Sequence, residues 1–413
     1  MKTIGTRITW LVAVTFVLGL GIHAPARADE EPAAPTDPTR GHWDTYLDPV
    51  RDLEDKLTDQ QKSLEDKTGV HVGVGITNLW LYSFNDPDSN LLTLHSLDPD
   101  HASPEFNFGQ ISASRANDGW IPGFGSKLAF GRAAKRFKAD WDGDGALNRG
   151  DQFEKNSFEV QEAYLQWTVP EDHGPLTGLG LKAGKFVTLL GAEVIEPWAN
   201  PNVTRSFLFG YSIPFTHTGF LLSYPFTDKL NATAGMVVGW DNVADNNQGK
   251  SAMGNLTYTL SDQITLSSNV IWGPEQTDNN SRKRGVISNV ATIKANDRLT
   301  FLLNYDWGHE EKVLGNESAL WEGFAAIATY NFTDRCSGSV RGEWFEDHNG
   351  ARTGVRQTLW ESTVTAKYQV TQHAYLRLEY RHDESSKGVF EAQGGKALAG
   401  QDIAGFEFTY LFN

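Results

Sequence analysis

The sequence predicts an all-β fold: a transmembrane antiparallel up-and-down β-barrel of about 16 strands behind a short N-terminal helical or disordered arm. Three observations lead there. The last stretch puts Phe406, Phe408, Tyr410 and Phe412 at every second residue, so in a strand four rings share one face and Glu407 and Thr409 share the other with Leu411. The same period of two runs through the chain from residue 69 onward. The connections between alternating segments are short and long in turn. An apolar edge left open in water invites aggregation, and closing the last strand on the first removes that edge.

In chain order, Lys2 and Arg7 precede an apolar run from Ile8 to Ile22, and Ala26-Arg27-Ala28 supplies a small-residue cleavage site. Residues 1–28 therefore read as a signal peptide and stand apart from the fold. No later stretch is apolar for long enough to be a spanning helix. With 39% apolar residues and a mean hydropathy of -0.41, a membrane chain of this kind must cross with strands. Beyond the signal, 33 of the 36 basic residues face 52 acidic ones, a formal charge of −19 that argues against nucleic acid as a partner. Cys336, the single cysteine, cannot form an internal disulfide and reads as a small lipid-facing or packed side chain.

Residues 29–69 form an arm, acidic and Pro-containing at first. Its Val50, Leu53, Leu57 and Leu64 then fall near a 3-4-7 spacing, so a periplasmic helix and a solvated tether both fit. Residues 70–413 carry the barrel. Leu230, Ala232, Ala234, Met236, Val238 and Trp240 oppose Asn231, Thr233 and Gly235; Leu376, Leu378 and Tyr380 oppose Arg377, Glu379 and Arg381. One face is greasy and often ends in Trp or Tyr, as a lipid-facing surface requires. Sixteen segments qualify, near 70–82, 104–114, 120–132, 157–169, 177–188, 211–225, 229–240, 252–260, 263–272, 285–295, 298–307, 319–332, 336–345, 356–369, 374–382 and 402–412. Short turns such as Ser261-Asp262-Gln263 alternate with polar loops near 241–251, 273–284, 308–318, 346–355 and 383–401. Outer-membrane barrels sort their connections by end in this way, and a barrel of this size leaves an aqueous channel.

The blocks GKFVTLLGAEVIEP (Gly184 to Pro197) and SFLFGYSIPFTHTG (Ser206 to Gly219), with WGPEQ (Trp272 to Gln276) and GARTG (Gly350 to Gly354), resemble the OmpL-like family of β-barrel porins. The similarity runs from about Gly73 to the C-terminus and leaves out the arm. It implies an outer-membrane channel of a Gram-negative-type bacterium, exported by a cleaved signal peptide. Outer-membrane lipid and small hydrophilic solutes are then the expected partners, and a homo-oligomer is left open. One departure is that Phe412 is penultimate, before Asn413, whereas such barrels usually end on an aromatic residue.

Several groups of residues are candidates for function. The connection 189–209 holds Glu193, Glu196, Trp198 and Arg205, with Pro197 and Pro201 limiting its conformations. Counted from the strands it lies on the long-loop side, and its apolar content suits folding inward, with Glu193, Glu196 and Arg205 at a constriction. The facing wall is expected to hold Arg341, Lys367, Arg377 and Arg381, with Glu343 and Glu379 among them; a transverse field of that kind orients polar solutes. The other reading is a loop packed on the rim and a lumen of neutralised ion pairs. Asp140, Asp142, Asp144, Ala146, Asn148 and Asp151 match calcium-loop positions around Gly145, with Asp151 in place of the usual closing Glu. A calcium ion or a plain Asp/Gly turn both fit that pattern.

No nucleophile elbow, zinc-protease motif or phosphate loop occurs, so no catalysis is expected. The functional expectation is a porin passing small hydrophilic solutes by diffusion. Its rivals are a secreted all-β carbohydrate-binding or carbohydrate-active protein, and a barrel acting as anchor or adhesin without transport.

Overall fold

The computed structural model describes residues 44–140 and 157–413. The signal segment, the first part of the arm and most of the acidic 140–151 loop lie outside the described residues.

Of the two readings of the arm, the helical one holds over α1 (Asp44–Thr68). The helix stops at Gly69, whose φ of +66° is a left-handed conformation that glycine adopts at little cost, and whose N–H donates to the Glu65 carbonyl at 2.7 Å. From Leu53 on, the helix meets the turn after residue 369. There Thr371 donates to Glu54 at 2.6 Å and Gln372 to Asp55 at 3.2 Å.

Sixteen antiparallel strands close into one barrel. The first seven are β1 (His71–Ser83), β2 (Glu105–Arg115), β3 (Gly123–Phe130), β4 (Phe158–Thr168), β5 (Gly180–Val187), β6 (Thr216–Thr227) and β7 (Leu230–Val237). Next come β8 (Ser251–Ser261), β9 (Ile264–Gln276), β10 (Asn279–Lys294), β11 (Leu299–Leu314) and β12 (Glu317–Asn331). Then β13 (Cys336–Asp347), β14 (Gln357–Gln369) and β15 (Ala374–Ser385) lead through a small separate hairpin, β16 (Phe390–Ala392) and β17 (Lys396–Leu398), to β18 (Gly400–Phe412). The closing pair is β1 with β18, in a register that sets Trp80 opposite Phe406 and Ile76 opposite Tyr410.

The alternation sorts side chains as the sequence predicts. Outward residues are exposed, with Leu256 at 48%, Trp272 at 55%, Leu378 at 61% and Phe406 at 40%, while the inward Asn269, Arg377 and Glu379 are buried. A soluble protein does not present so continuous an apolar exterior, which disposes of the secreted reading.

Three local expectations change. The stretches 273–284 and 308–318 are not long loops: β9 to β12 run on past the greasy band and turn within residues 277–278 and 315–316. Asp278 and Gly315 take the positive φ values that tight turns need, and the polar residues beside them keep their ladder in water. The connection 383–401 folds partly into the β16–β17 hairpin. Trp240 does not extend the greasy face of β7; the strand ends at Val237, and Trp240 lies under the guanidinium groups of Arg284 and Arg352, each 5.0 Å from its ring.

The bore is less uniformly wet than expected. At the end where the long connections lie, Leu97, Phe137, Phe207, Phe209 and Phe390 from the connections pack against Phe186, Trp321 and Phe345 of the wall. The apolar content of these connections is buried inside the cylinder, which is the cheapest place to remove it from water. Toward the opposite end the inward positions are small and polar, as in the Thr329–Ser339 and Asn255–Ser267 pairs at 3.0 and 2.8 Å.

Candidate pore constriction

The connection between β5 and β6 is held in shape from within. Asn200 clasps Val194 by both backbone groups, accepting its N–H at 2.9 Å and donating to its carbonyl at 2.9 Å, and also donates to the Glu196 carbonyl at 2.6 Å. Arg205 donates to the carbonyls of Val194, Val203 and Ile195 at 3.0, 2.9 and 2.9 Å. Just before the helical turn Leu208–Ser212, the Ser206 hydroxyl accepts the Phe209 N–H at 3.0 Å.

The loop crosses the bore and is tied to the wall on both sides. On one side Glu196 accepts from Lys127 of β3 at 2.7 Å, from Gln161 of β4 at 2.9 Å and from Gln110 of β2 at 3.2 Å. Lys127 also pairs with Glu162 at 2.9 Å. On the far side Arg341 of β13 bridges Glu193 at 2.9 Å and Glu361 at 2.7 Å while donating to the Thr204 carbonyl at 2.7 Å. Arg377 of β15 holds Glu407 at 2.8 Å and donates to the carbonyls of Asn200 and Asn202 at 2.7 and 3.0 Å. Arg381 pairs with Asp383 at 2.6 Å and reaches the Arg205 carbonyl at 2.6 Å.

The wall carboxylates act as acceptors for the loop backbone. Glu379 takes the N–H groups of Val203 and Thr204 at 2.6 and 2.9 Å. Glu343 takes those of Phe207 and Leu208 at 2.9 and 2.8 Å, at the N-terminus of the short helix where a negative charge is favoured. Buried charges of this kind are tolerable because each is hydrogen-bonded, Glu343 and Glu379 by backbone amides and Arg341, Arg377 and Arg381 by carboxylates as well.

The placement differs in detail from the sequence expectation. Glu193 and Arg341 do meet. Glu196 instead faces Lys127, on a strand not counted in the basic wall, and Arg205, expected at the constriction, is a staple inside the loop with 6% exposure. Lys367 stands 4.0 Å above the Tyr375 ring and touches none of the loop's charges. Sequence reasoning missed Lys127, Glu162, Glu361 and Glu407, all on inward faces of strands. Of the calcium pattern only Asp140 is described, and its backbone is bridged to residues 241 and 243 at 2.7 Å; the rest lies outside the described residues. Among the described residues no group of three or more His, Cys, Asp or Glu stands within reach of one metal ion.

Two tests belong to this geometry. A β-carbon at Gly75 of β1 would overlap the Trp198 ring, so Gly75→Val should push the loop off the wall and destabilise the barrel by about 1–3 kcal/mol. The readout is a lower temperature for losing the fast-migrating folded band in detergent gels. Asp241, in the connection after β7, accepts the N–H groups of Phe215 and Thr216 at 2.7 and 2.9 Å. Burial pushes its pKa up to about 6 from 3.8, against the lowering by those amides and by Lys185 and Arg352. The folded state then holds the proton more tightly, so this contribution is fully present below about pH 4 and lost as pH rises through about 6. Thermal unfolding from pH 4 to 7 should show that fall in the natural protein and a flatter profile in Asp241→Asn.

A closed sixteen-strand barrel, apolar outside and crossed within by a charge-anchored loop, defines the class of outer-membrane porins. The family model described as "Putative beta-barrel porin-2, OmpL-like" matches residues 69–412, and the chain belongs to that family. No curated protein matches it. Among solved structures it is similar to OmpF of Salmonella typhi in complex with daunomycin, at 11% identity and a TM-score of 0.55 over 83% of this chain and 97% of that one. It is similar also to OprB of Pseudomonas putida, at 9% and 0.55 over 85% and 96%. The trimer form of OmpT of Vibrio cholerae aligns at 12% and 0.50 over 83% and 99%. At such identities the likeness is one of fold.

Proposed function

We propose that this outer-membrane porin passes small hydrophilic solutes by passive diffusion, without covalent chemistry, through a bore narrowed by the 189–209 loop. The observation that carries the reading is the loop's double anchorage, Lys127 to Glu196 on one side and Arg341 to Glu193 on the other. Those bonds hold the loop in the lumen rather than on the rim. The anchoring charges are closed into contacts of 2.7 and 2.9 Å, as in a lumen of neutralised ion pairs, so the loop filters solutes mainly by size, with the second carboxylate beside Lys127 adding a charge bias. The reading includes export through cleavage of residues 1–28. It extends to assembly with further copies, prompted by the trimer form of the similar OmpT fold.

Planar-bilayer recording tests the reading. Purified protein should give discrete conductance steps in salt, with a reversal potential under a salt gradient that reports the charge preference. A folded protein that gives no steps would leave the anchor or adhesin role in its place.

A further inference from the structure

Beneath the loop, on its turn-side face, lies a cavity of ≈ 630 Å³ bounded by loop residues Leu189, Val194 and Trp198, by Gly75 of β1 and by Lys127 of β3. Its lining is unusual for a bore meant only for water and ions. Val194 is 39% exposed, and because Asn200 clasps both of its backbone groups the isopropyl group is fixed in that position. Trp198 is half-buried, braced by Phe108 at 5.4 Å between ring centres and by the bare backbone of Gly75. The apolar surface is thus rigid and left facing a space large enough for a solute of one or two rings.

The polar part of the lining narrows the choice of solute. Lys127 is 32% exposed and has two carboxylate partners, Glu162 and Glu196, for its three N–H donors. One ammonium between two carboxylates leaves a local excess of negative charge, which works against an anionic solute. Glu193 and Gln110 add acceptor and amide groups to the same lining. A neutral ring with an apolar face and a rim of hydroxyl groups matches both parts: its C–H face covers Trp198 and Val194, and its hydroxyls both accept and donate.

We propose that this cavity is a binding subsite for neutral sugar rings, so that the channel favours sugars over linear polyols. The proposal rests on the porin reading and names the solute class for it. The test is the blockage of salt current in planar bilayers by maltose, against sorbitol at the same mass concentration as a control for viscosity. Maltose should interrupt the current in a saturable way and sorbitol should not. With each current normalised to that protein's own open level, Trp198→Ala should weaken the maltose effect about tenfold or more, a difference of about 1.4 kcal/mol. Trp198→Phe should restore most of it. Val194→Thr, a change small enough to leave folding intact, should weaken it as well.

If salt current flows but maltose and sorbitol act alike, the subsite is wrong and the channel stands. If maltose blocks but Trp198 and Val194 variants block equally well, the sugar site is not this cavity. If folded protein carries no current at all, the channel reading and the subsite fall together.

Discussion

Arg341→Ala is expected to be among the most damaging single substitutions in the barrel. Its guanidinium is fully buried and holds Glu193 of the loop, Glu361 of the neighbouring strand and the Thr204 carbonyl together. Removing it leaves two buried carboxylates without their cation, and breaking a buried pair in this way costs about 3–5 kcal/mol. The folded band in detergent gels should be lost at a clearly lower temperature. The surviving channels should show larger, noisier conductance as the loop detaches. Arg341→Lys keeps the charge but not the planar fork that reaches several acceptors at once, so it should recover only part of the loss. Unchanged melting and unchanged current in Arg341→Ala would mean that the loop is held in place by its apolar packing alone.

Lys127→Glu is expected to have the largest effect on selectivity. The substitution turns one cation between two carboxylates into three adjacent carboxylates beside the cavity, a change of up to two charges. Cation over anion permeability, read from the reversal potential, should rise several-fold. The effect should shrink as salt is raised, since the screening length falls from about 10 Å at 0.1 M to about 3 Å at 1 M. Lys127→Met, which removes one charge without adding another, should fall between. A reversal potential that does not move in either variant would place the permeation path elsewhere than past Lys127.

Much of this architecture is legible in the chain because a sheet with lipid outside obeys one strict rule, that neighbours point in opposite directions. Leu376 to Arg381 shows why: no other period sends Leu378 outward at 61% exposure and Arg377 and Glu379 inward. The even strand count and the side on which the 189–209 loop lies follow from the same alternation and from the order of short and long connections, whereas its inward position is suggested only by its apolar content, which a place on the rim also fits. What the alternation does not carry is pairing. Glu196 meets Lys127 across sixty-nine positions of chain, and that choice depends on where the loop lands, which sequence spacing does not encode. The polar stretches 273–284 and 308–318 mislead for a related reason. Polarity signals water, and a hairpin standing clear of the membrane is as wet as a loop. Trp240 is ambiguous in sequence because an aromatic residue at a strand end fits the interface belt and an internal arginine partner equally well.

The loop's two sets of anchors have a consequence for assembly. A closed sheet has one joint that no covalent turn secures, where the first strand meets the last, and in this chain the inner strap lies across it. Trp198 presses on β1 and β2 on one flank, while Arg377, itself clamped to Glu407 of β18, grips the loop backbone on the other. Lateral unzipping at that seam therefore requires the strap to let go first. Because Arg377 holds both the strap and Glu407 of the last strand, capture of the strap and closure of the cylinder reinforce each other.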